Sequence, residues 1–441
     1  MVLNSKRFFL DLSILILFKR NSKIFFWFLP IIFLQPIFAE NVFIKLKNGG
    51  SISGELLKEN TDHIIVDLGF DILKVPQSDC LDEVTIDDQK INVDSGFIVC
   101  NDQNYPNLIN LFRELEIGLH KTSMSYSFSS SNLSWSSNDF ENWRLLFKPE
   151  KLKLLLNIIR FNKLARINNS QKLNLKEWLN KNKFSNSFIN TYVLPMAGAI
   201  WSSDTKNILS FPASTFLNFF KNHGLLNLFR RPQWFSVLNG SKSYIDKIIL
   251  NSPANNIYLS SNISINRKEG KVVINNDGNN ILYDKVIFAC HADQVENLLE
   301  DITDEEKIAF NLFDYTSNNV VLHTDPSLMP HSKKNWSAWN SFKYNGNDCV
   351  TYWMNELQNI NTKTNIFVSI GNFEKIDQNL VIKNISYNHI SYSFKTLEGQ
   401  KKINEIQGLN NTFFAGAHLG YGFHEDGLTS ALNIINIINN E

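Results

Sequence analysis

The stretch Ala415–Gly427, AGAHLGYGFHEDG, gathers glycines at 416, 420, 422 and 427, histidines at 418 and 424, and the adjacent carboxylates Glu425 and Asp426. A strand-like apolar run, TFFAG, leads into it, and a helical pattern, EDGLTSALNIINIINN, leads out. Glycines in such a turn let a ligand approach the backbone closely. The unpaired N–H groups at a helix start stabilise negative charge, resident or developing. Ser430, one turn into the helix, is placed to support the turn. The two histidines sit six residues apart with no third ligand at metal spacing, so they read as structural and no metal site is expected.

Other chemistry is sparse. No G-x-S-x-G elbow exists to carry a serine nucleophile. Cys80, Cys100, Cys290 and Cys349 lie far apart, and Cys290, inside VIFACHA, reads as a buried apolar residue. No side chain declares itself as a catalytic acid or base. Trp339, Asn340 and Tyr352 fall in aromatic strand-like segments and are candidate walls of a substrate pocket. A second glycine cluster, Gly49, Gly50 and Gly54 in VFIKLKNGGSISGELL, raises the question of a dinucleotide loop. Its spacing is G-G-x-x-x-G rather than G-x-G-x-x-G. Only Glu55 to Asp62 separate it from the next strand-like run, about two helical turns, too few for a βαβ crossover. Glu55 would also set a carboxylate where phosphates should lie. The stretch reads as a strand, an Asn-Gly-Gly turn and a second strand.

The elements that must position these residues follow from periodicity. Residues 41–81 alternate as four or five short strands, a small antiparallel β module. After two more strands, a helix opens at NYPNLINLFREL; residues 142–231 are largely helical, and 256–293 return to strands ending in DKVIFACHADQ. At 441 residues and 43% hydrophobic content the chain is globular with room for two or three domains. Lys+Arg and Asp+Glu both total 43, so no basic field argues for nucleic acid. Before the module, Ile24–Ala39 is an apolar run behind a basic flank. It reads as a signal peptide cleaved after Ala39 or as an anchor giving possible membrane attachment. That places the protein in an exported, periplasmic or membrane-anchored location, with a cytoplasmic one as the alternative.

NNTFFAGAHLGYGFHEDGLTSALNI resembles the C-terminal motif of FAD-dependent amine oxidases and their desaturase-like relatives. VDSGFIVCNDQNYPNL, LPMAGAIWSS with FPASTFLNFFKNHGLL, RPQWFSVLNGSKSYIDKI, DKVIFACHADQ and CVTYWMNELQ are similar, in order, to elements of the narrower group of predicted NAD/FAD-binding, amine-oxidase-like proteins. The resemblance covers about residues 83–441. It implies a mixed α/β (α+β) fold in which a Rossmann-like FAD-binding domain (about 82–120, 236–300 and 405–441) interleaves with a helical and sheet substrate domain (about 121–235 and 301–404). It implies FAD as cofactor, with Ser95, Gly96, Ile263, Ala289, His291, Gly416, Gly420, Gly422, Glu425, Asp426, Gly427 and Ser430 around it. It also implies hydride removal from a C–N or C–C bond of a small-molecule or lipid-like substrate.

A complete member opens with strand, G-x-G-x-x-G and helix, which hold the pyrophosphate. Here the resemblance stops near Asp82-Glu83, and residues 41–81, similar to small SH3-like or Sm-like modules, stand upstream. The expectation is an incomplete dinucleotide-binding domain, a truncated or chimeric N-terminus, and impaired FAD binding. Alternatives of a different class are a non-catalytic exported protein with a decayed flavin fold, or a desaturase- or isomerase-like flavoenzyme.

Overall fold

A computed structural model describes strands within residues 14–76 and, from residue 85 on, all but 88, 131–132, 141–147, 168–171, 202–204, 228–231, 252–256, 260–262, 277, 345–346, 372–374 and 441. The architecture is mixed α/β, in keeping with the expected fold class.

In one part of the molecule, Lys285–Ala289 (KVIFA) pairs in parallel with the closing strand Thr412–Phe414. Both are nearly continuous apolar runs, as strands buried on two faces must be. Side chains alternate between faces. Val286, Phe288 and Phe414 turn toward the core of an antiparallel meander, Ile263–Lys268, Lys271–Asn276 and Asn279–Tyr283, where Ile265, Val272 and Ile274 are fully buried. Ile287 and Phe413 turn the other way, onto Ile434 of the closing helix His424–Asn440. Arg267 of the meander, its side chain 5% exposed, reaches Glu306 at 2.6 Å and Asp301 at 3.1 Å, tying the meander to helix Asp304–Phe310. The remaining edge of Lys285–Ala289 is taken by the backbone of Ile14–Phe18, which runs antiparallel from Ile14↔Ala289 to Phe18↔Lys285. The backbone of Ile32–Leu34 pairs in parallel with Ile257–Leu259.

On the other side lies a seven-stranded sheet. Its order is Ser134–Ser136, Tyr126–Ser129, Trp339–Tyr344, Asn347–Trp353, Phe367–Ile370, Asp314–His323, Val381–Ser391. All neighbours are antiparallel except Tyr126–Ser129 with Trp339–Tyr344. A helical layer covers it, through Phe161, Trp178, Phe188, Tyr192, Phe216 and Phe220, all buried. The helices start where the sequence supplies caps: Pro149 in the first turn of Pro149–Arg166, and an Asn174/Glu177 capping box before Leu175–Lys181.

Asn41–Lys45, Ser51–Glu59, His63–Asp67 and Ile72–Pro76 form an antiparallel meander in sequential order. Ser51–Glu59 is therefore a strand, with Gly54 opposite Val42, and the helix a dinucleotide loop would need is not there. The Asn-Gly-Gly turn itself lies outside the described residues, as do Cys80 and, apart from the two short strands above, the expected leader and its cleavage point. Among the described residues no helix is long and apolar enough to cross a membrane.

Candidate functional site

The closing strand hands over to the closing helix through a loop held at nearly every step. The Gly416 N–H donates to Ser430 Oγ at 2.9 Å, and Ser430 Oγ donates to the Gly427 carbonyl at 2.6 Å, so one hydroxyl joins strand end to first helical turn. Gln400 donates to the carbonyls of His418 and Gly420 at 2.9 and 2.8 Å, and Tyr392 Oη donates to Gly420 at 3.0 Å. The glycines make room for the protein's own groups. A Cβ at Gly416 would stand 2.5 Å from the His418 ring, and one at Gly420 would stand 2.4 Å from an Asp426 carboxylate oxygen. Gly422, at φ +91°, adopts a conformation that a side chain would strain.

The acidic pair divides its work. Asp426 accepts from Phe423 N at 2.9 Å, and burial pushes its carboxyl up to about 6. Glu425 faces away from the loop. Its two oxygens accept from Asn107 N at 3.0 Å and Leu108 N at 2.9 Å, the first N–H groups of helix Pro106–Glu114. It is a helix cap delivered from the far end of the chain, which corrects the expectation that this carboxylate faces a ligand. His418 is buried, and desolvation pushes its pKa down to about 3. Its Nε2 has no hydrogen-bond partner among the described residues.

Against this loop stands Asp94–Phe97. Asp94, 1% exposed, accepts twice from Ser241 N at 2.9 and 3.0 Å, at the start of helix Lys242–Asn251. Its N–H and carboxylate pair reciprocally with the Gln358 amide at 2.8 and 2.9 Å. Burial pushes its carboxyl up to about 7, against the opposing pull of the Ser241 bonds. Ser95 Oγ and Tyr387 Oη share a 2.7 Å hydrogen bond. Phe97 stacks on His424 with ring centroids 4.0 Å apart, and His424 Nε2 lies 3.1 Å from Tyr244 Oη. Gly96, Gly422 and His424 remain exposed while Asp94, Ser95, His418 and Ser430 are buried. The result is an open, glycine-edged surface on a rigid base.

The structure thus brings Ser95 and Gly96 together with the 416–430 turn. Ala289 ends its strand beside it, and His291 stacks on Tyr315 at 4.6 Å. The Ile263 side chain is buried in the meander core with Phe288 and Cys290. The side chains expected at a substrate wall make contacts within the protein. Asn340 makes four hydrogen bonds within the sheet, accepting from Ser127 Oγ and Ser337 N and donating to the carbonyls of Ser337 and Thr351. Tyr352 donates to Ala199 O at 3.0 Å under the helical layer, with Trp339 edge-on at 4.9 Å. These side chains hold the sheet and helices together. Asp94, Gln358 and Gln400 escaped the sequence reading. Only Asp94, a carboxylate directly before Ser-Gly, left a signal. Among the described residues no group of three or more His, Cys, Asp or Glu is placed to hold a metal.

A parallel strand pair ends in a glycine turn before a long helix, and a separate seven-stranded sheet lies alongside. The chain belongs to the flavin-containing amine oxidoreductase family, whose profile matches residues 84–373. Similar solved structures include a putrescine oxidase redesigned in its cofactor binding (12% identical, TM-score 0.59, covering 81% of this chain and 90% of that one). The cyclohexylamine oxidase of Brevibacterium oxydans IH-35A is 9% identical with a TM-score of 0.56, covering 79% and 88%. The CLA-producing fatty acid isomerase of P. acnes is 12% identical with a TM-score of 0.55, again covering 79% and 88%. At these identities the likeness concerns the fold. No curated protein matches the chain by sequence.

The family implies FAD, and the residues fit it at one end. The open surface at Gly96, Gly422 and His424, next to the start of the closing helix, suits the ring. Among the described residues no glycine loop leading from a parallel strand into a helix stands at the dinucleotide end. Ligands of open α/β sheets sit beyond the C-terminal ends of parallel strands, where a glycine loop and a helix start take the phosphates. Ile14–Phe18 runs antiparallel beside Lys285–Ala289, with Phe18 opposite Lys285. Gly54 lies in a strand of an antiparallel meander. Among the described residues nothing replaces the pyrophosphate cradle.

Proposed function

We propose that the chain is an amine-oxidase-type flavoprotein whose ring-facing end is assembled but whose hold on the FAD dinucleotide is impaired. Its reaction class is oxidation of a small organic or lipid-like molecule by FAD, expressed weakly because the cofactor is captured weakly. The observation that carries this reading is the contrast at the flavin crevice. Ser430 and Asp94 anchor one wall through buried hydrogen bonds, and the Phe97–His424 stack lies at its open edge. The described strand beside Lys285–Ala289, Ile14–Phe18, runs antiparallel to it, which supports the reading that the phosphate-binding side is incomplete.

The test is anaerobic incubation of the full chain with excess FAD and, separately, a panel of primary amines and a panel of unsaturated fatty acids. Slow bleaching of the flavin by an amine is the expected result. Reaction with the fatty acids alone would replace the amine-oxidase reading with an isomerase- or desaturase-like one. No bleaching by an amine and no conversion of a fatty acid, with FAD demonstrably bound, would overturn the proposal in favour of a non-catalytic protein.

A further inference from the structure

Helix Pro149–Arg166 is apolar on two opposite faces. Leu154, Ile158, Phe161 and Ala165 are buried in the helical layer. At about 100° per residue, Leu152, Leu156 and Ile159 fall within a band about 60° wide on the reverse side. All three are exposed, at 44%, 57% and 43%, and Ile167, 63% exposed, follows the helix. Lys153 and Arg160 flank the band on one side and Arg166 on the other, while Lys163 continues it; all four are exposed.

A shallow groove of about 390 Å³ adjoins the C-terminal half of this helix, lined by Arg160, Lys163, Leu164, Lys181, Asn182 and Lys183. None of its four cations pairs with a carboxylate among the described residues. Arg160 instead donates to the carbonyls of Asn182 and Lys183 and lies 4.7 Å over the Phe184 ring. The chain as a whole has a formal net charge of zero, so this concentration does not reflect a general basic surplus.

A single exposed leucine is ordinary. An aligned apolar band bordered by cations, beside an uncompensated cationic groove, is what an interfacial helix presents to an anionic bilayer. We propose that Pro149–Arg166 and Lys181–Lys183 dock the protein on an anionic phospholipid surface. Leu152, Leu156 and Ile159 enter the headgroup boundary, and the groove cations meet lipid phosphates. A nucleic acid would use the cations but leave the leucines in water. This attachment is distinct from any made by Ile24–Ala39.

Co-sedimentation of the full chain with vesicles tests it, using phosphatidylcholine alone and phosphatidylcholine mixed with phosphatidylglycerol. Binding to the mixed vesicles is expected to be at least tenfold tighter and to weaken as salt rises. Leu156→Glu with Ile159→Glu, and separately Lys163→Glu with Lys181→Glu, are each expected to lower it at least tenfold. The thermal melt should stay unchanged, since all four side chains face solvent or the groove rim. Should either pair disturb the melt, Leu156→Ser and Lys163→Gln serve in its place. Equal binding to both vesicle types, binding untouched by both pairs, or binding to duplex DNA with none to vesicles would each overturn the proposal.

Discussion

The chain carries two glycine-rich segments, and they behave in opposite ways. In the closing segment, glycines 416 and 420 are required by particular neighbours: the His418 ring fills the space beside one and the Asp426 carboxylate the space beside the other. In the N-terminal meander, Gly54 sits within a strand, paired across from Val42. Glycine content is similar; the meaning differs because one segment joins a buried parallel strand to a long helix and the other joins two short antiparallel strands. A glycine motif signals a cofactor only where the flanking elements can carry it to the C-terminal end of a parallel sheet.

The sharpest way to break this comparison is to add one carbon to each segment. Gly420→Ala is expected to cost about 3 kcal/mol, because the new Cβ would overlap the Asp426 side chain inside a loop already clamped by Gln400 and Tyr392. Gly54→Ala should stay within about 1 kcal/mol of wild type. Urea denaturation of the two variants measures both, and equal costs would erase the distinction.

A second test asks whether the wall opposite the closing loop is as buried as its contacts imply. The Asp94 carboxyl, at about 7, stands above the roughly 3.9 of an exposed aspartate. Its contribution to stability is therefore fully present below pH 4 and is lost as the pH rises through 7. His418, at about 3, and His223 and His323, at about 4, lie below the histidine value of about 6.5. Their contributions are present above pH 6.5 and are lost as the pH falls through 4. The two sets oppose each other, so the signature lies in the variants. Between pH 4 and 7 the advantage of wild type over Asp94→Asn should shrink by up to about 1.4 kcal/mol per pH unit. His418→Gln should instead flatten the loss of stability toward acid. A difference between wild type and Asp94→Asn that ignores pH would place that carboxylate in water.

The smallest expected effect concerns Glu425. Glu425→Ala removes the cap from helix Pro106–Glu114 and is expected to cost about 1 kcal/mol, measured as a shift in urea midpoint. A larger loss of FAD affinity than of stability would return this carboxylate to the ligand.

Much of the closing segment was legible in the sequence because its signals are local: TFF ends a strand, glycines follow, and Ser430 lies one turn into the next helix. The N-terminal hairpin was legible for the same reason, through the alternation in VFIKLK. What escaped depends on distant partners. Glu425 finds its amides at Asn107 and Leu108, and Asp94 finds Ser241 and Gln358, pairings that no periodicity reports. Asn340 looked like a pocket residue because polar groups among aromatics suggest a ligand; its four internal bonds show the sheet using them itself. The apolar band Leu152–Ile159 was hidden because a helix apolar on both faces reads as a buried one. The pairing of Ile14–Phe18 with Lys285–Ala289 was equally hidden, since a short apolar run reads alike as a leader or as a strand.

The central claim is that the ring end of the flavin site is built and the dinucleotide end is not. The most direct measurement is the visible spectrum and FAD stoichiometry of the full chain as purified, followed by titration with FAD. The purified chain is expected to be nearly colourless, with far less than one FAD per chain, and to bind added FAD only weakly. A yellow protein that retains one FAD per chain through gel filtration would contradict it.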